Sequence, residues 1–194
     1  MAIYGGFQVR SSAVSAESVT MAFKIDSGET GDMFEGDLIA VNTDGAVSAA
    51  VADGDLAVAG VFVGCNYTNS EGERVYANNY DVTIARDDNV AFVNVNPFQI
   101  YSVRVGTGGT EGTITQAAIG MSLDIDGTNA GNATTGLSGQ MAKTGTEAAT
   151  ARVRVVGVTN LDGVDPYTQA PGTNYTHALC IIDPATSLWT GVGR

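Results

Sequence analysis

Between Phe23 and Cys65, short apolar runs alternate with turns rich in Gly, Asp and Asn: AFKI, DLIAV, GAVSAAV and LAVAGVFVGCNY are parted by NTDG and ADGD. Short runs bounded in this way predict strands, and no segment holds a helical apolar period over a useful length. RVYA, YDVTIA and VAFVNV continue the series, with Val90, Phe92, Val93 and Val95 patterned as in a half-buried strand. Asp44-Gly45 predicts a hairpin turn of type I′, which needs positive φ at both central positions. Pro97 cannot donate to a ladder, so the chain turns or passes a sheet edge there.

A second series follows Pro97. QIYSVRVG, IGMSLDID, LSGQMAKT, ARVRVVGV and HALCIID read as strands, separated by the turn-rich GTGGTEGTITQ, the loop DGTNAGNATTG and the long LDGVDPYTQAPGTNYT. Arg152 and Arg154 alternate with Val153 and Val155, which predicts both arginines on the solvent face. PATSLWTGVGR has room for one helical turn after Pro184. The two series rhyme: GDLIAV and IGMSLDI open near Gly, while VAGVFVG and VRVVGVT close near Gly-Val. Gly-rich β-chains produce such rhymes readily, so duplication and coincidence both stay open.

The pattern therefore predicts an all-β fold, an antiparallel sandwich or barrel, with two small related β-barrel halves as one form of it. Residues 1–20 form an extended N-terminal arm, 21–97 a first β half and 98–194 a second, together one compact body. The arm is small and polar and cannot support a core alone. Gly5 and Gly6 loosen it, while Ile3, Tyr4, Phe7 and Val9 are apolar enough to dock on a partner as an added strand. A frayed terminus is the other reading.

Composition narrows the partners. The chain has 194 residues, 25 of them Gly, and a formal charge of -12, which repels phosphate backbones and excludes nucleic acid as a natural partner. No apolar run approaches the roughly 20 residues of a membrane helix. The opening MAIYGGFQVRSS lacks a basic segment followed by an apolar one, so cytosolic synthesis without a secretory signal is expected. Three Asn-x-Ser/Thr matches, at Asn66, Asn132 and Asn174, are then chance in an Asn- and Thr-rich chain.

Candidate chemistry is sparse. His177 is the only histidine, so any triad or imidazole metal cluster hangs on it, and no nucleophile elbow accompanies it. Cys180 lies three residues on, which places the two side chains on opposite strand faces. Cys65 and Cys180 each sit in an apolar run and read as core residues, with a long-range disulfide as the alternative. Asp124 and Asp126 resemble the start of a calcium loop, but no closing glutamate follows, so a plain Asp-Gly turn is favoured. Asp87, Asp88 and Asn89 form another acidic turn, read as solvated. GTGGTEG has the glycines of a phosphate loop without its Lys-Ser/Thr ending or its helix. Tyr67, Tyr76 and Tyr80 offer recognition or packing. These residues predict no catalytic site, no resident metal and no cofactor: the protein is not an enzyme.

GDLIAVNTDGAVSAAVADGDLAVAGVF, the arm before it and YSVRVGTGGTEGTITQAAIGMSLDIDG together resemble the small β-rich capsid decoration, or cement, proteins of tailed bacteriophages, over about residues 20–160. The resemblance implies a structural virion protein on the capsid exterior that binds the assembled major capsid protein across subunit boundaries. It also implies a homo-oligomer, by analogy a trimer, and carries over no catalytic residue. The arm, through Ile3, Tyr4, Phe7 and Val9, is then the capsid-binding element. A tail or head-fibre component and a carbohydrate-binding β-sandwich, with Trp189 and the tyrosines stacking on sugars, are the alternatives.

Overall fold

The computed structural model describes residues 6–9, 19–49, 57–84, 88–129, 131–145, 151–160 and 172–189. The arm positions Ile3 and Tyr4, the turn ADGD, Asp87 and most of the long Gly/Pro loop lie outside them. The described residues are all-β, with no α-helix and two single 3-10 turns. β1 (Gln8–Val9) comes first. The first half holds β2 (Thr20–Lys24), β3 (Met33–Phe34), β4 (Leu38–Val41), β5 (Val47–Ser48), β6 (Ala57–Thr68), β7 (Arg74–Ala77), β8 (Asn79–Tyr80) and β9 (Val90–Asn94). The second holds β10 (Tyr101–Thr107), β11 (Thr110–Glu111), β12 (Ser122–Leu123), β13 (Ile125–Asp126), β14 (Met141–Lys143), β15 (Val153–Thr159) and β16 (His177–Ile182). Pro97 lies in the turn between the halves, where Gln99 N donates to Asn96 O (3.2 Å).

Both halves close into small barrels. In the first, the order is β2-β9-β6-β4-β5, and a parallel bridge from Ile25 to Val47 joins the two ends. In the second, the order is β12-β15-β16-β10-β14-β13. β12 and β13 are one extended segment interrupted at Asp124, so this sheet closes on itself, with β10 and β14 parallel.

The two barrels have one topology. β2, β4, β5, β6 and β9 correspond in order to β10, β12 with β13, β14, β15 and β16, and every pairing between neighbours is reproduced. The register agrees residue for residue: Met21 and Val93 pair as Tyr101 and Cys180 do, and Ile39 and Gly60 as Leu123 and Val153 do. A bulge ends at Gly64 in β6 and at Gly157 in β15. Before β4 and β12 stand Gly36 (φ 92°) and Gly120 (φ 90°), each in the left-handed region that favours glycine. Gly36 N donates to Phe62 O (2.9 Å) as Gly120 N donates to Val155 O (2.8 Å). Each half ends on the same Asx turn: Phe98 N donates to Asn96 Oδ1 (3.0 Å) before Gln99, as Ala185 N donates to Asp183 Oδ1 (2.8 Å) before Thr186. Coincidence does not reproduce register, bulge, special glycine and closing turn together, so the sequence rhyme reflects an internal duplication.

Each barrel has its own core. Ile25, Ile39, Val41, Phe62, Cys65 and Val93 fill the first; Val103, Val105, Leu123, Ile125, Ala142 and Cys180 fill the second. Leu38, Val58 and Val61 point out of the first barrel and join the second core, so the barrels are packed on each other. Both cysteines are free and buried, one in each core. Burial pushes the Cys65 thiol up to about 11 and the Cys180 thiol higher still.

Two local expectations change. The hairpin at Asp44-Gly45 forms, but only Gly45 has positive φ (88°) there, and Asn42 N bonds to Ala46 O (2.8 Å) across a wider turn. One left-handed residue suffices for that geometry, so Asp44 is spared the strain of type I′. The two-glycine turn is instead at Gly108 (φ 61°) and Gly109 (φ 76°), between β10 and β11. Arg152 is buried and Arg154 is half-exposed, because the turn after β16 covers the outer face of β15 and brings Asp183 to Arg154 Nη2 (3.3 Å). Strand alternation assigns faces but not what lies over them. After Pro184 the chain makes one helix-like turn, with Ser187 N donating to Asp183 O (3.0 Å).

Candidate functional site: the seam between the barrels

The turn Asn42–Gly45 of the first barrel is replaced in the second by the long loop between β13 and β14, and this loop welds the barrels together. Glu35 and Leu137 form a parallel bridge, Glu35 N donates to Gly136 O (2.8 Å), and Ser138 N donates to Glu35 O (3.0 Å). Beside them the Ser138 hydroxyl donates to the buried Asp37 carboxylate, which also accepts from Phe34 N (2.7 Å). Gln140 bonds both backbone groups of Leu38, accepting at 2.8 Å and donating at 3.3 Å. Burial raises the Asp37 carboxyl to about 6 against the two hydrogen bonds that favour its charged form.

The N-terminal strand lies along this seam. β1 adds antiparallel to β10, with Gln8 opposite Ser102 and Val9 opposite Tyr101. Gly6 N donates to Gln140 O (2.7 Å) and Phe7 N to Gly36 O (2.8 Å), which ties the strand to both barrels. Phe7 is buried, its ring edge-on to Tyr101 at 5.9 Å and 83°. Of the sequence-predicted arm residues, then, Phe7 is spent inside this chain, and Val9 stands 54% exposed.

A cavity of about 360 Å³ opens beneath β1, walled by Phe7, Val61, Phe62 and Val63 with Glu35 and Leu137 also lining it. Asn94 and Tyr101 line it too; Asn94 Nδ2 and Tyr101 Oη are buried and have no hydrogen-bond partner among the described residues. Leaving such a group unpaired costs about 1–3 kcal/mol. Tyr101 stays neutral, since burial pushes its hydroxyl far above its ordinary value. Sequence reasoning missed Asn94 and Tyr101, because a polar tip at the end of an apolar strand residue carries no pattern of its own.

Around the connector between the barrels stand exposed apolar side chains: Phe98 (68%), Val9 (54%), Val19 (49%) and Met21 (42%). Val19 bonds Val95, three residues before Phe98, and Val9 pairs Tyr101, three residues after it. Single exposed apolar residues are ordinary; these stand within a few ladder positions of one connector, on a chain with a formal charge of -12.

The other candidates separate. His177 is buried on β16 with Nδ1 3.0 Å from Thr176 Oγ1, and Cys180 faces the opposite way into the core. Asp126 is buried, and burial alone would raise it; hydrogen bonds from Thr128 and from the Gly109 and Gly108 backbone hold it below its ordinary value. Its carboxylate thus clamps the two-glycine hairpin at 3.0 Å from Gly109 N, while Asp124 stands apart from it in the chain direction between β12 and β13. Among the described residues no three His, Cys, Asp or Glu side chains gather to hold a metal ion. Tyr80 is buried, Tyr67 packs on the first core, and Tyr76 lies over Phe92 at 6.0 Å. Trp189 donates to Ala59 O (2.7 Å) and meets Phe23 at 6.2 Å. No helix among the described residues is long and apolar enough to cross a membrane. Comparison of the chain with family models, with curated proteins and with solved structures finds no match.

Proposed function

We propose that the protein is a structural virion component that decorates the outside of an assembled phage capsid and holds its subunits together, with no catalytic role. The observation that carries this reading is the apolar border of the inter-barrel connector, Val9, Val19, Met21 and Phe98, on a body with a formal charge of -12. An acidic protein is repelled from packaged DNA, which favours the outer face of a shell. A ligand that binds only the assembled state stabilises it by mass action, and symmetric copies multiply the effect. Copies grouped as trimers at local threefold points suit such a role, with the major capsid protein as partner.

The contact is centred on Val9 rather than on Phe7, whose burial makes it a strut of the protein itself. Val9→Asp combined with Phe98→Asp leaves the melting temperature nearly unchanged and lowers occupancy on assembled capsids by about tenfold or more, since each buried charge costs more than 1.4 kcal/mol. Undiminished occupancy removes this surface from the mechanism.

The cavity favours a second reading, a carbohydrate-binding module, because sugar hydroxyls suit Asn94 Nδ2 and Tyr101 Oη. Trp189 and Tyr80 are engaged in packing, so stacking in that reading falls to other rings. Retention of the isolated protein on a glycan array, lost in Tyr101→Phe, would select it.

A further inference from the structure

The duplication makes two equivalent strand edges, and among the described residues the chain fills one of them. On β10, the edge at Ser102 receives β1, with Gln8 opposite Ser102 and Phe7 laid against Tyr101. The residues equivalent to Tyr101 and Ser102 are Met21 and Ala22 of β2. Ile25 N donates to Asn89 O and Val95 N to Val19 O, so the odd-numbered residues of this segment direct their backbone groups at β9. Asp26 N donates the other way, to Val47 O. The N–H and C=O of Thr20 and Ala22 therefore point away from β9 with no described strand beyond them, whereas from Lys24 to Asp26 the parallel bridge between Ile25 and Val47 takes the edge. Met21 is 42% exposed where its counterpart Tyr101 is covered completely.

We propose that the outer edge of β2 is a docking site for an extended segment of another protein, which adds antiparallel at Thr20 and Ala22 and lays a large apolar side chain on Met21. The occupant's chemistry is read from β1: an extended backbone, with an aromatic residue beside the paired positions, seated on the equivalent edge of the same protein. A second copy is the poorer occupant. Each chain has a single β1, tied in place through Gly6 to Gln140 and Phe7 to Gly36, and giving it away would uncover its own Tyr101. Strand addition supplies main-chain hydrogen bonds for affinity and one side-chain contact for selectivity. The inference holds whether or not the partner belongs to a virion shell.

The test uses the full chain and a capped synthetic peptide GGFQVRS, the sequence of residues 5–11, with amide hydrogen exchange as the readout and no capsid present. Saturating peptide is expected to slow exchange at Thr20 and Ala22 by about tenfold or more, as pairing does elsewhere. Ala22→Pro removes a donor that serves no internal bond, so it keeps the melting temperature within a few degrees and abolishes the peptide effect. Met21→Ala keeps the edge and weakens the peptide severalfold. Slow exchange at Thr20 and Ala22 in the dilute protein alone would show that the chain covers this edge itself. Protection that rises with protein concentration without peptide would make a second copy the occupant. Either result, or a peptide that leaves these amides unchanged, overturns the proposal. Since the assay contains no capsid, its failure is separate from failure of the shell-binding experiment.

Discussion

Asp37 carries the electrostatic cost of the seam. Its folded value near 6 lies above the usual carboxylate value, so between about pH 4 and 6 the native state holds a proton that the unfolded state has released. Stability from this group is therefore greatest below pH 4 and is lost as the pH rises through 6. Asp37→Asn removes that dependence: relative to the variant, the wild type should lose on the order of 2 kcal/mol of unfolding free energy between pH 4 and 6.5. Denaturant titrations at both ends check this, and a constant difference would contradict it. The thiols give a second expectation, because buried groups raised to about 11 or beyond do not form thiolate at neutral pH. Cys65 and Cys180 should resist alkylation until the protein unfolds. At this scale the sequence was readable for apolar residues: both cysteines, Val153 and Val155 lie where their runs placed them. Polar residues were not, since the fate of Arg152 and Tyr101 depends on segments distant in sequence that cover them.

Strands and turns repeat across the halves, so equivalent elements should respond alike except where their surroundings differ. Gly36 and Gly120 share one backbone conformation, but a Cβ at Gly36 would lie 3.2 Å from Phe7 N, while one at Gly120 meets nothing within 4 Å. Gly120→Ala should cost about 1 kcal/mol from backbone strain alone, and Gly36→Ala more, through displacement of β1. Equal costs would mean that β1 does not press on Gly36. The strands were legible because their apolar runs alternate with turn residues. Their parallel closures were not, as no local signal states that β10 meets β14 or that Ile25 meets Val47. The type I′ turn was expected at Asp44-Gly45 and lies at Gly108-Gly109, where both residues accept positive φ without strain.

At the scale of the whole molecule, a duplicated barrel gives a stiff body, and the asymmetry between its halves gives it a surface with direction. The second barrel owns the weld loop and β1; in the first, Val19 and Met21 are exposed and no described strand pairs the outer side of Thr20 and Ala22. Phe7→Ala should destabilise the protein by about 3–5 kcal/mol, because the ring is buried against Tyr101 and the seam. Deleting residues 1–20 consequently tests stability as well as adhesion. The candidate surface was half visible in sequence: the apolar arm announced itself, whereas its division into a buried Phe7 and an outward Val9 depends on contacts with Gly36, Gln140 and Tyr101. Adhesion to the outside of an assembled shell is decided by electron cryomicroscopy of intact virions carrying a tagged copy of the chain. Twin-barrel density is expected on the outer surface, bridging capsid subunits through the connector that carries Val9 and Phe98. Virions without the tag on their shell, or with it inside against the packaged DNA, would contradict it.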